Sequence, residues 1–405
     1  MIESRFIEKL LNGREVEWFA LEDIFDLKNG YTPSKSNKDY WENGTIPWFR
    51  MEDIRENGQI LSSALQKVSV HAIKGGKLFP ANSIIIATSA TIGEHALITV
   101  PYLANQRFTN ISLKKNFTNR VDSKFIFYYC FLLSDWCKKN TTISNFAAVD
   151  MVGFRKFPFP IPPIDVQLEI VRILDAFTSL TAELTAELTA ELTSRQKQYQ
   201  YFKEHLLNIN NNIVWKSLSE ITITTKNIKW ENNKKNYRYI DLTSVNRENN
   251  RITETIEINA KNAPSRAQKI IEKNDILFAT TRPTQQRMTI VPEEYDSQIA
   301  STGYCVLRPN KEEVLPEWIY YNISTIDFKN YVEEYQSGSA YPAISDYKVK
   351  EYKIPIPSIQ MQEKLISILN RFEELTHSIE AGLPSEIQLR KQQYEYYRNM
   401  LLNFK

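Results

Sequence analysis

Small hydroxyl and amide side chains stand beside apolar runs of the sequence, where they are suited to contact with a nucleic acid. Thr88-Ser89-Ala90-Thr91 directly follows Ser-Ile-Ile-Ile-Ala, and Asn105-Gln106-Arg107 lies shortly before Asn-Ile-Ser-Leu. A short hydroxyl at a strand end lets the backbone approach a phosphate or a base edge, while Asn, Gln and Arg can pair with base edges through two hydrogen bonds. The chemistry indicated is recognition of phosphates and bases.

The same residue types recur in the second half of the chain. Thr280-Thr281-Arg282 follows Ile-Leu-Phe-Ala at the corresponding place, and residues 337–341 form a loop that aligns with residues 142–146. Two basic stretches, 114–120 and 226–238, are candidates for phosphate contact. The candidate DNA-binding residues are Thr88, Ser89, Thr91, Asn105, Gln106, Arg107, Arg238, Thr280, Thr281, Arg282, Gln285, Gln286, Arg287, Ser339 and Tyr341. Any one of these positions is also typical of a solvated loop or an ordinary turn.

Catalytic and metal-binding motifs are not found in the sequence. It contains no Gly-rich loop with Walker spacing, no G-x-G-x-x-G and no Asn-Pro-Pro-aromatic or Asp-Pro-Pro-aromatic tetrapeptide. The histidines and cysteines have no metal-ligand spacing: His71, His95, His205, His377, Cys130, Cys137 and Cys305. Cys130 and Cys137 lie in an apolar segment and are expected to be buried thiols in a reducing cytoplasm. We therefore expect no catalytic residue, no metal and no bound cofactor on this chain.

Length and composition are those of an ordinary globular protein. The chain has 405 residues, of which 42% are hydrophobic and 24% charged. This length accommodates two or three domains with sizeable cores. No apolar run approaches the length of a membrane span, and the acidic residues in Met-Ile-Glu-Ser-Arg-Phe-Ile-Glu-Lys differ from a secretory signal. The formal net charge of +2 means that any DNA-binding surface must be a local basic patch.

A long helix is predicted between Pro163 and Asn208, where Thr-Ala-Glu-Leu occurs three times without a break from Thr181. Apolar residues spaced by three and four form one stripe, and the run has no Gly or Pro. Such a helix would have about 45 residues and measure roughly 65 Å. Because this exceeds an ordinary globular helix, it must pack on another helix. The repeat by itself is also typical of a charged coiled-coil brace.

The C-terminal segment repeats this helix at an offset of 195 residues. Pro160-Ile161-Pro162 corresponds to Pro355-Ile356-Pro357, and the register holds through Leu206-Leu207-Asn208 and Leu401-Leu402-Asn403. Residues 6–12 resemble the end of the same helix, so the repeat is cyclic: helix end, domain, helix, domain, helix. Gly382-Leu383-Pro384 interrupts the second copy, and proline is expected to kink or break it.

Short apolar runs separated by turn residues indicate a domain of strands and helices before each long helix. Ile-Pro-Trp-Phe-Arg, Ser-Ile-Ile-Ile-Ala-Thr-Ser, His-Ala-Leu-Ile-Thr-Val and Asn-Ile-Ser-Leu are predicted strands, and residues 121–138 a predicted helix. Residues 213–353 repeat this plan loosely, with a predicted helix at 316–335. One scaffold that serves two different targets would show this combination of a shared frame and different surfaces.

The repeated Thr-Ala-Glu-Leu units and the cyclic duplication together resemble the specificity subunits of type I restriction–modification enzymes, in particular the subgroup with TAEL repeats in the spacer. The resemblance covers essentially the whole chain. It implies an α+β fold with two similar α/β target-recognition domains, two long antiparallel conserved helices as a coiled-coil spacer, and internal pseudo-two-fold symmetry. The expected segments are an N-terminal conserved segment at 1–14, recognition domains at 15–159 and 209–354, and conserved helices at 160–208 and 355–405.

The resemblance also implies the function and the partners. Each recognition domain is expected to read one half of a split site in double-stranded DNA, and restriction (motor nuclease) subunits are expected to join the complex. Because two similar halves present one kind of surface twice, two modification (methyltransferase) subunits are expected per chain. S-adenosylmethionine, ATP and Mg²⁺ are expected on those subunits. The expected spacer and partner-binding residues are Leu180, Leu184, Leu188, Leu192, Tyr199, Phe202, Leu375, Ile379, Tyr394 and Tyr397.

An alternative from another class is a structural scaffold without DNA recognition, in which the repeat is only a brace. Salt-sensitive binding to duplex DNA separates the two hypotheses. If the chain is a DNA reader, the number of Thr-Ala-Glu-Leu units is expected to set the gap between the half-sites without changing what either half reads.

Overall fold

Residues 3–143, 147–208, 213–231, 233–247, 249–377 and 382–404 are described by a computed structural model of the chain. The chain divides into two units. Unit 1 consists of Met1–Thr185 and Leu389–Lys405, and unit 2 is Ala186–Gln388. Two helices, at Ile164–Leu207 and Gly382–Leu401, belong partly to each unit. No described helix combines the length and the apolarity that crossing a membrane requires.

Unit 1 is an α+β structure. Its helices are α1 (Glu3–Leu11), α2 (Leu21–Ile24), α3 (Met51–Asn57), α4 (Ser123–Lys139), α5 (Met151–Arg155) and the first half of α6 (Ile164–Leu207). Its strands are β1 (Glu17–Ala20), β2 (Phe25–Asn29), β3 (Ile46–Phe49), β4 (Ile60–Leu61), β5 (Lys67–Val68), β6 (Ser83–Ala87), β7 (His95–Ile98), β8 (Leu103–Ala104), β9 (Phe108–Leu113), β10 (Thr141–Ile143), β11 (Ala147–Val149) and β12 (Pro158–Ile161). The four strands predicted from the sequence correspond to β3, β6, β7 and β9.

A five-stranded sheet in the order β2-β9-β6-β7-β4 organises unit 1. Neighbours are antiparallel except for β7 and β4, which are parallel. Helix α4 packs on one face of this sheet, where Phe125, Leu133 and Cys137 join the largest core cluster. The other face packs on residues around β3 and β8. Asp122 caps the N-terminus of α4: its carboxylate accepts hydrogen bonds from the backbone N–H groups of Lys124 and Phe125.

Unit 2 repeats this arrangement. Its elements are the second half of α6, β13 (Val214–Ser217), α7 (Leu218–Ile221), β14 (Thr222–Ile223), β15 (Tyr237–Ile240), β16 (Ile256–Ile258), β17 (Ala267–Ile270), β18 (Ile276–Ala279), β19 (Met288–Ile290), β20 (Ile299–Ser301), β21 (Tyr304–Pro309), α8 (Pro316–Ile323), α9 (Ile326–Tyr335), α10 (Asp346–Glu351), β22 (Lys353–Ile356), α11 (Ile359–His377) and the start of α12 (Gly382–Leu401). The sheet β14-β21-β18-β19 corresponds to β2-β9-β6-β7, and the parallel pair β15–β20 corresponds to β3–β8.

Equivalent contacts in the two units confirm the duplication. In each unit a fully buried glutamine near the start of the repeated helix accepts a hydrogen bond from the backbone before α4 or α8 and donates to two carbonyls. These contacts join Gln167 to Asp122, Arg120 and Pro162, and Gln362 to Leu315, Glu313 and Pro357. Trp18 in β1 opposes Pro160 as Trp215 in β13 opposes Pro355. A duplicated sequence has therefore kept duplicated contacts.

Helix α6 confirms the predicted long helix, with 44 residues from Ile164 to Leu207. It begins where the backbone N–H groups of Val166 and Gln167 bond to the carbonyl of Pro163. Within the repeat, the hydroxyl of Thr193 bonds to the carbonyl of Thr189, and Arg195 pairs with Glu191 one turn before it. The helix therefore combines strong helix-forming residues with local side-chain support.

The predicted spacer residues lie on helices α6, α11 and α12. Leu184, Leu188, Leu192 and Tyr394 are half-buried, Tyr199 is buried, and Leu180, Phe202, Leu375 and Tyr397 are exposed. Ile379 lies outside the described residues. In unit 1, Phe177 packs on Tyr397, the hydroxyls of Thr178 and Tyr394 are 2.8 Å apart, and a groove continues to Leu184 and Arg390. These segments of α6 and α12 therefore run antiparallel.

The second copy of the long helix is not continuous. It is described as α11 and α12, and residues 378–381 between them lie outside the described part. Gly382 has φ of +78°, and a Cβ added to it would lie 2.6 Å from the carbonyl oxygen of Leu375. Seven residues of α-helix would separate these positions by roughly 10 Å along the axis. Leu375 and Gly382 are thus too close to belong to one continuous α-helix, as the sequence predicts, and Pro384 falls in the first turn of α12, where its missing N–H is not needed.

The prediction of a single helix at 316–335 is wrong, because this segment forms two helices. α8 ends at Ile323, and α9 begins after Thr325, whose hydroxyl accepts from the backbone N–H of Phe328. The carbonyls released at the end of α8 and beside it are bonded by the Gln286 amide and the Lys203 ammonium. The interruption is therefore stabilised by side chains from distant parts of the chain, which the local pattern could not reveal.

Candidate nucleic-acid interface

In unit 1, three of the predicted segments come together where β6 ends and β9 begins, at one end of the five-stranded sheet. This end of the sheet is the edge of unit 1. The backbone N–H of Thr88 donates to the carbonyl of Arg107 at 3.0 Å, and the carbonyl of Thr88 accepts from Val149 at 3.0 Å. Ser89 forms a β-bridge with Ala148. The end of β6, the turn before β9 and the hairpin of β10 and β11 therefore meet; the tip of that hairpin, residues 144–146, lies outside the described part.

A cleft of about 540 Å³ opens beside this edge. The predicted residues Asn105, Gln106 and Arg107 line it, together with residues that sequence reasoning missed: Thr32, Lys35, Trp41, Trp48, Arg50 and Gln66. Gln106 is hydrogen-bonded to Thr32, so the two sides of the cleft are joined. The lining has three cations, two indole rings and the acid Glu52, although Arg50 also lies 4.0 Å from the carboxylates of Glu52 and the buried Asp53. Lys35, Arg107 and the indole rings make this cleft suitable for a polyanion with stacked bases.

Arg50 is a cation of this cleft that was not among the residues predicted from the sequence. Arg50 directly follows strand β3, in the same way as Thr88 directly follows strand β6. Its guanidinium lies 5.7 Å from the Trp48 ring, and its Nε is buried with no hydrogen bond from the described residues. A polar residue directly after an apolar strand was therefore a usable signal at Arg50 as well.

In unit 2, two predicted segments that are distant in sequence form the corresponding edge. Thr281 forms a β-bridge with Ala343, the backbone N–H of Arg282 donates to the carbonyl of Pro342 at 2.7 Å, and the Arg282 guanidinium lies 5.4 Å from the Tyr341 ring. The loop that carries Ser339 and Tyr341 is exposed. The end of β18 and the 337–343 loop therefore form one surface, as β6 and its hairpin do in unit 1.

The two threonines that begin these edges lie beneath the surface. Thr88 and Thr280 are buried, with their hydroxyls bonded to Thr109 and to the carbonyl of Gly303. The backbone N–H of Thr280 also donates to Gly303, as Thr88 does to Arg107. These threonines hold the edge in place, and Ser89, Thr281 and Arg282 lie above them.

Gln285 and Gln286 face a different part of unit 2. They line a cleft of about 1160 Å³ together with the exposed cations Arg247, Arg251 and Lys329, which sequence reasoning missed. The Gln286 amide donates to carbonyls of Ile323 and Thr325, so its donors serve the end of α8. The signal available for two of these cations was the polar segment Asn246–Arg251, which reads as a loop.

Three further predicted residues and one predicted basic stretch are not brought to the exposed edges. Arg238 is the second residue of β15 and lies over Tyr295, at the opposite end of the β15–β20 pair from Gly303. The hydroxyl oxygen of Thr91 and the Nε of Arg287 are buried without a hydrogen bond from the described residues. The basic stretch 114–120 follows β9, at the opposite end of that strand from Arg107, and Arg120 is ion-paired with Glu17.

Buried titratable groups lie behind the unit 1 edge and not on it. His95 begins β7 and is fully buried against Phe127 and Phe131. Burial lowers the pKa of His95 to about 4, against the opposing effect of its backbone hydrogen bonds to Gly93 and Phe127. The nearby cations Arg398 and Lys138 lower this pKa a little further. Within the described ranges no group of His, Cys, Asp and Glu has an arrangement that would hold a metal ion, and the three cysteines are buried and free.

Comparison with known proteins assigns the chain to a family. Residues 13–194 and 211–389 each match the type I restriction modification DNA specificity domain. The chain is 44% identical to the specificity subunit of the Escherichia coli type I restriction enzyme EcoprrI, over 94% of this chain and 93% of that protein. It is 28% identical to a putative type I restriction enzyme specificity subunit of Haemophilus influenzae, over 98% of both chains.

A solved structure shares the fold. It comes from work on complex assembly and conformational transition of the type I restriction–modification system, and it superposes with a TM-score of 0.71 at 13% identity, covering 96% of this chain and 98% of that one. Two copies of one DNA specificity domain, each with the same backbone contacts at the edge and each with a copy of the repeated helix, are thus found in this chain. The chain belongs to the family of type I restriction–modification DNA specificity subunits.

Proposed function

We propose that the edge of unit 1 reads one half of a bipartite site in double-stranded DNA and that the edge of unit 2 reads the other half. The observation that carries this proposal is the repetition of one backbone arrangement with different side chains. In both units a strand end meets a loop through the same backbone contacts, but the exposed positions differ, with Arg107 in unit 1 and Arg282 and Tyr341 in unit 2. A common frame with different surfaces is what two different half-sites require.

The basic residues near these edges are suited to phosphates. Lys35 and Arg107 line the cleft of unit 1, and Arg247, Arg251 and Lys329 line that of unit 2. Phosphate contacts position a protein on the duplex without reading its sequence. Because the net charge of the chain is only +2, these local cations would supply most of the attraction to DNA.

The repeated helices would set the gap between the half-sites and hold the other subunits. Apolar side chains remain exposed along them, among them Leu180, Phe202 and Leu375. Exposed apolar residues at matching positions of a repeat are suited to two copies of one partner. We propose two modification subunits per chain, with restriction subunits joining the assembled complex.

This chain would have no catalytic activity of its own. The sequence lacks the motifs that hold a nucleotide or a methyl donor. In this proposal the modification subunits bring S-adenosylmethionine, and the restriction subunits bring ATP hydrolysis and Mg²⁺. Methyl transfer or DNA cleavage by the purified chain without other subunits would contradict this assignment.

Binding of the chain with its modification subunits to duplex DNA tests the proposal. The logarithm of the binding constant is expected to fall linearly with the logarithm of the salt concentration, because cations of the protein displace counterions from phosphates. Mapping of the methylated adenines in a genome that expresses the complex should then give a bipartite motif. The alternative of a coiled-coil scaffold without DNA recognition predicts neither result.

A further inference from the structure

An arginine and a tyrosine in cation–π contact stand on the exposed surface of the unit 2 edge. The guanidinium carbon of Arg282 lies 5.4 Å from the centre of the Tyr341 ring, and Tyr341 is 72% exposed. Within the described residues this ring contact is the interaction that the Arg282 side chain makes. An exposed arginine that is held by an aromatic ring and keeps its five N–H donors available is suited to a ligand outside the chain.

The backbone on both sides holds this pair together. The N–H of Arg282 donates to the carbonyl of Pro342 at 2.7 Å, and Thr281 bridges to Ala343. The loop is closed at its base, because Ser337 and Ala343 exchange hydrogen bonds of 2.8 and 2.9 Å. The two side chains therefore meet before any ligand arrives, which reduces the conformational freedom that binding must remove.

Arg282 also has a backbone conformation that side-chain-bearing residues seldom adopt. Its φ is +53°, and the residue at the corresponding place in unit 1, Ala90, has φ of +65°. Neither position is glycine, which would adopt this conformation without cost. Strained backbone of this kind persists where the surrounding structure imposes it, and it is concentrated at functional sites. The two units thus share the backbone at this position and differ in its side chain.

We propose that Arg282, in contact with the ring of Tyr341, reads a guanine in the half-site of unit 2, an inference that rests on the proposed function. The forked donors of arginine match the O6 and N7 acceptors of guanine in the major groove, and this is the commonest base-specific contact. The ring of Tyr341 fixes the plane of the fork through stacking and cation–π attraction. Unit 1 has alanine at the same place, so its half-site is read there without this contact.

The test uses the chain assembled with its modification subunits and duplexes of the mapped site. Each guanine of the unit 2 half-site is replaced in turn by 7-deazaguanine, which lacks the N7 acceptor. The wild-type complex should lose roughly tenfold to hundredfold in affinity at one of these guanines. R282A should bind the unmodified site more weakly by a similar factor and should show no further loss at that guanine. Measurements at low salt keep the weaker complex observable.

Two variants separate reading from folding and from charge. R282A is expected to melt like the wild type, because alanine occupies the same left-handed position at Ala90. Lys311→Ala removes one positive charge from an exposed position beyond the opposite end of β21 and should leave the deazaguanine profile unchanged. Y341A should weaken the loss at the same guanine without abolishing it.

Three results would overturn the inference. One is R282A retaining the full deazaguanine effect at every guanine. Another is a uniform loss of affinity for specific and non-specific DNA alike, which would make Arg282 a phosphate contact. A wild-type complex without any site-specific binding would refute the proposed function itself and this inference with it.

Discussion

Single residues show how one scaffold tolerates different interiors. In unit 2, Asp275, the residue before β18, is buried and ion-paired with Arg308 of β21, which also pairs with Glu272. The matching positions of unit 1 are Ser83 and Ser112, which both bond to Asn110. Desolvation raises the pKa of Asp275, and the hydrogen bonds that Arg308 donates to the Asp275 carboxylate raise the pKa of Arg308. The raised pKa of Arg308 agrees with the 2.8 Å ion pair, whereas a raised pKa of Asp275 favours its neutral form. Because the geometry is that of an ion pair, we take both groups as charged.

His95 should make the stability of unit 1 sensitive to acid. Its pKa is about 4 in the folded chain against 6.5 in the unfolded chain, so the unfolded state binds the proton first. The stabilising contribution is complete above pH 6.5 and is lost as the pH falls towards 4. The expected loss between pH 7 and pH 5 is roughly 2 kcal/mol. H95M, which introduces the residue type that unit 2 has at the matching place, Met288, should abolish this part of the pH dependence.

Calorimetric unfolding of the wild type and H95M at pH 7 and pH 5 measures the effect. The wild type should lose more stability on acidification than the variant does. Equal losses in the two proteins would show that His95 is already protonated or is compensated by another group. The nearby cations Arg398 and Lys138 oppose protonation, so neither is expected to compensate.

At the scale of elements, the Thr-Ala-Glu-Leu run of α6 links the end of unit 1 to the start of unit 2 along the chain. Four residues of α-helix advance about 6 Å and turn about 400°, one full turn plus roughly 40°. A base pair of B-DNA advances about 3.4 Å and rotates by roughly 36°. The two rotations agree. The helix rise of about 6 Å matches the base-pair rise of about 3.4 Å only if the helix is inclined to the DNA axis, so that part of its rise is directed along that axis. Deletion of residues 185–188 should therefore shorten the gap between half-sites by one base pair.

Methylated sites mapped across a genome decide this prediction. An unchanged gap would indicate that the repeat is only a brace. Changed letters in either half-site would indicate that the repeat takes part in reading bases. The same mapping applied to the wild type gives the reference gap.

Gly382, at the start of α12, should be intolerant of a side chain. A Cβ at this position would lie 2.6 Å from the carbonyl oxygen of Leu375, and its φ is +78°. G382A should destabilise the protein by roughly 2 kcal/mol or more, from left-handed strain together with the clash. Gly75 is the matched control, because it has φ of +67° and nothing within 4 Å of the added Cβ. Thermal unfolding should show a smaller loss for G75A, and equal losses would argue against the contact with Leu375.

At the scale of the molecule, the duplication leads to a prediction of stoichiometry. The fully buried Gln167 and Gln362, with their matching hydrogen bonds, show that the repeated helices dock on their domains in the same way. A surface presented twice should bind one partner twice. The mass of the saturated complex with the modification subunit should correspond to two copies per chain. A stable, saturated complex with one copy would contradict the prediction.

Local sequence determined the elements and the duplication, because both depend on short-range patterns. Residue types and spacing were sufficient to predict α6, the four strands of unit 1 and the interruption of the second helix near Gly382. The split of the 316–335 helix was missed, because side chains from distant segments stabilise its ends. Patterns over neighbouring residues do not report such contacts.

Only the tertiary structure decided which candidate residues share a surface. Arg282 and Tyr341 are 59 positions apart in the sequence and become one pair because the 337–343 loop hydrogen-bonds to the end of β18. Arg238 has the same chemistry, but its strand places it at the other end of the β15–β20 pair. The sequence by itself specified which side chains could contact DNA, whereas strand pairing and register selected those that stand together at an exposed edge. The physical reason is that surface proximity comes from long-range backbone hydrogen bonds, which no local spacing encodes.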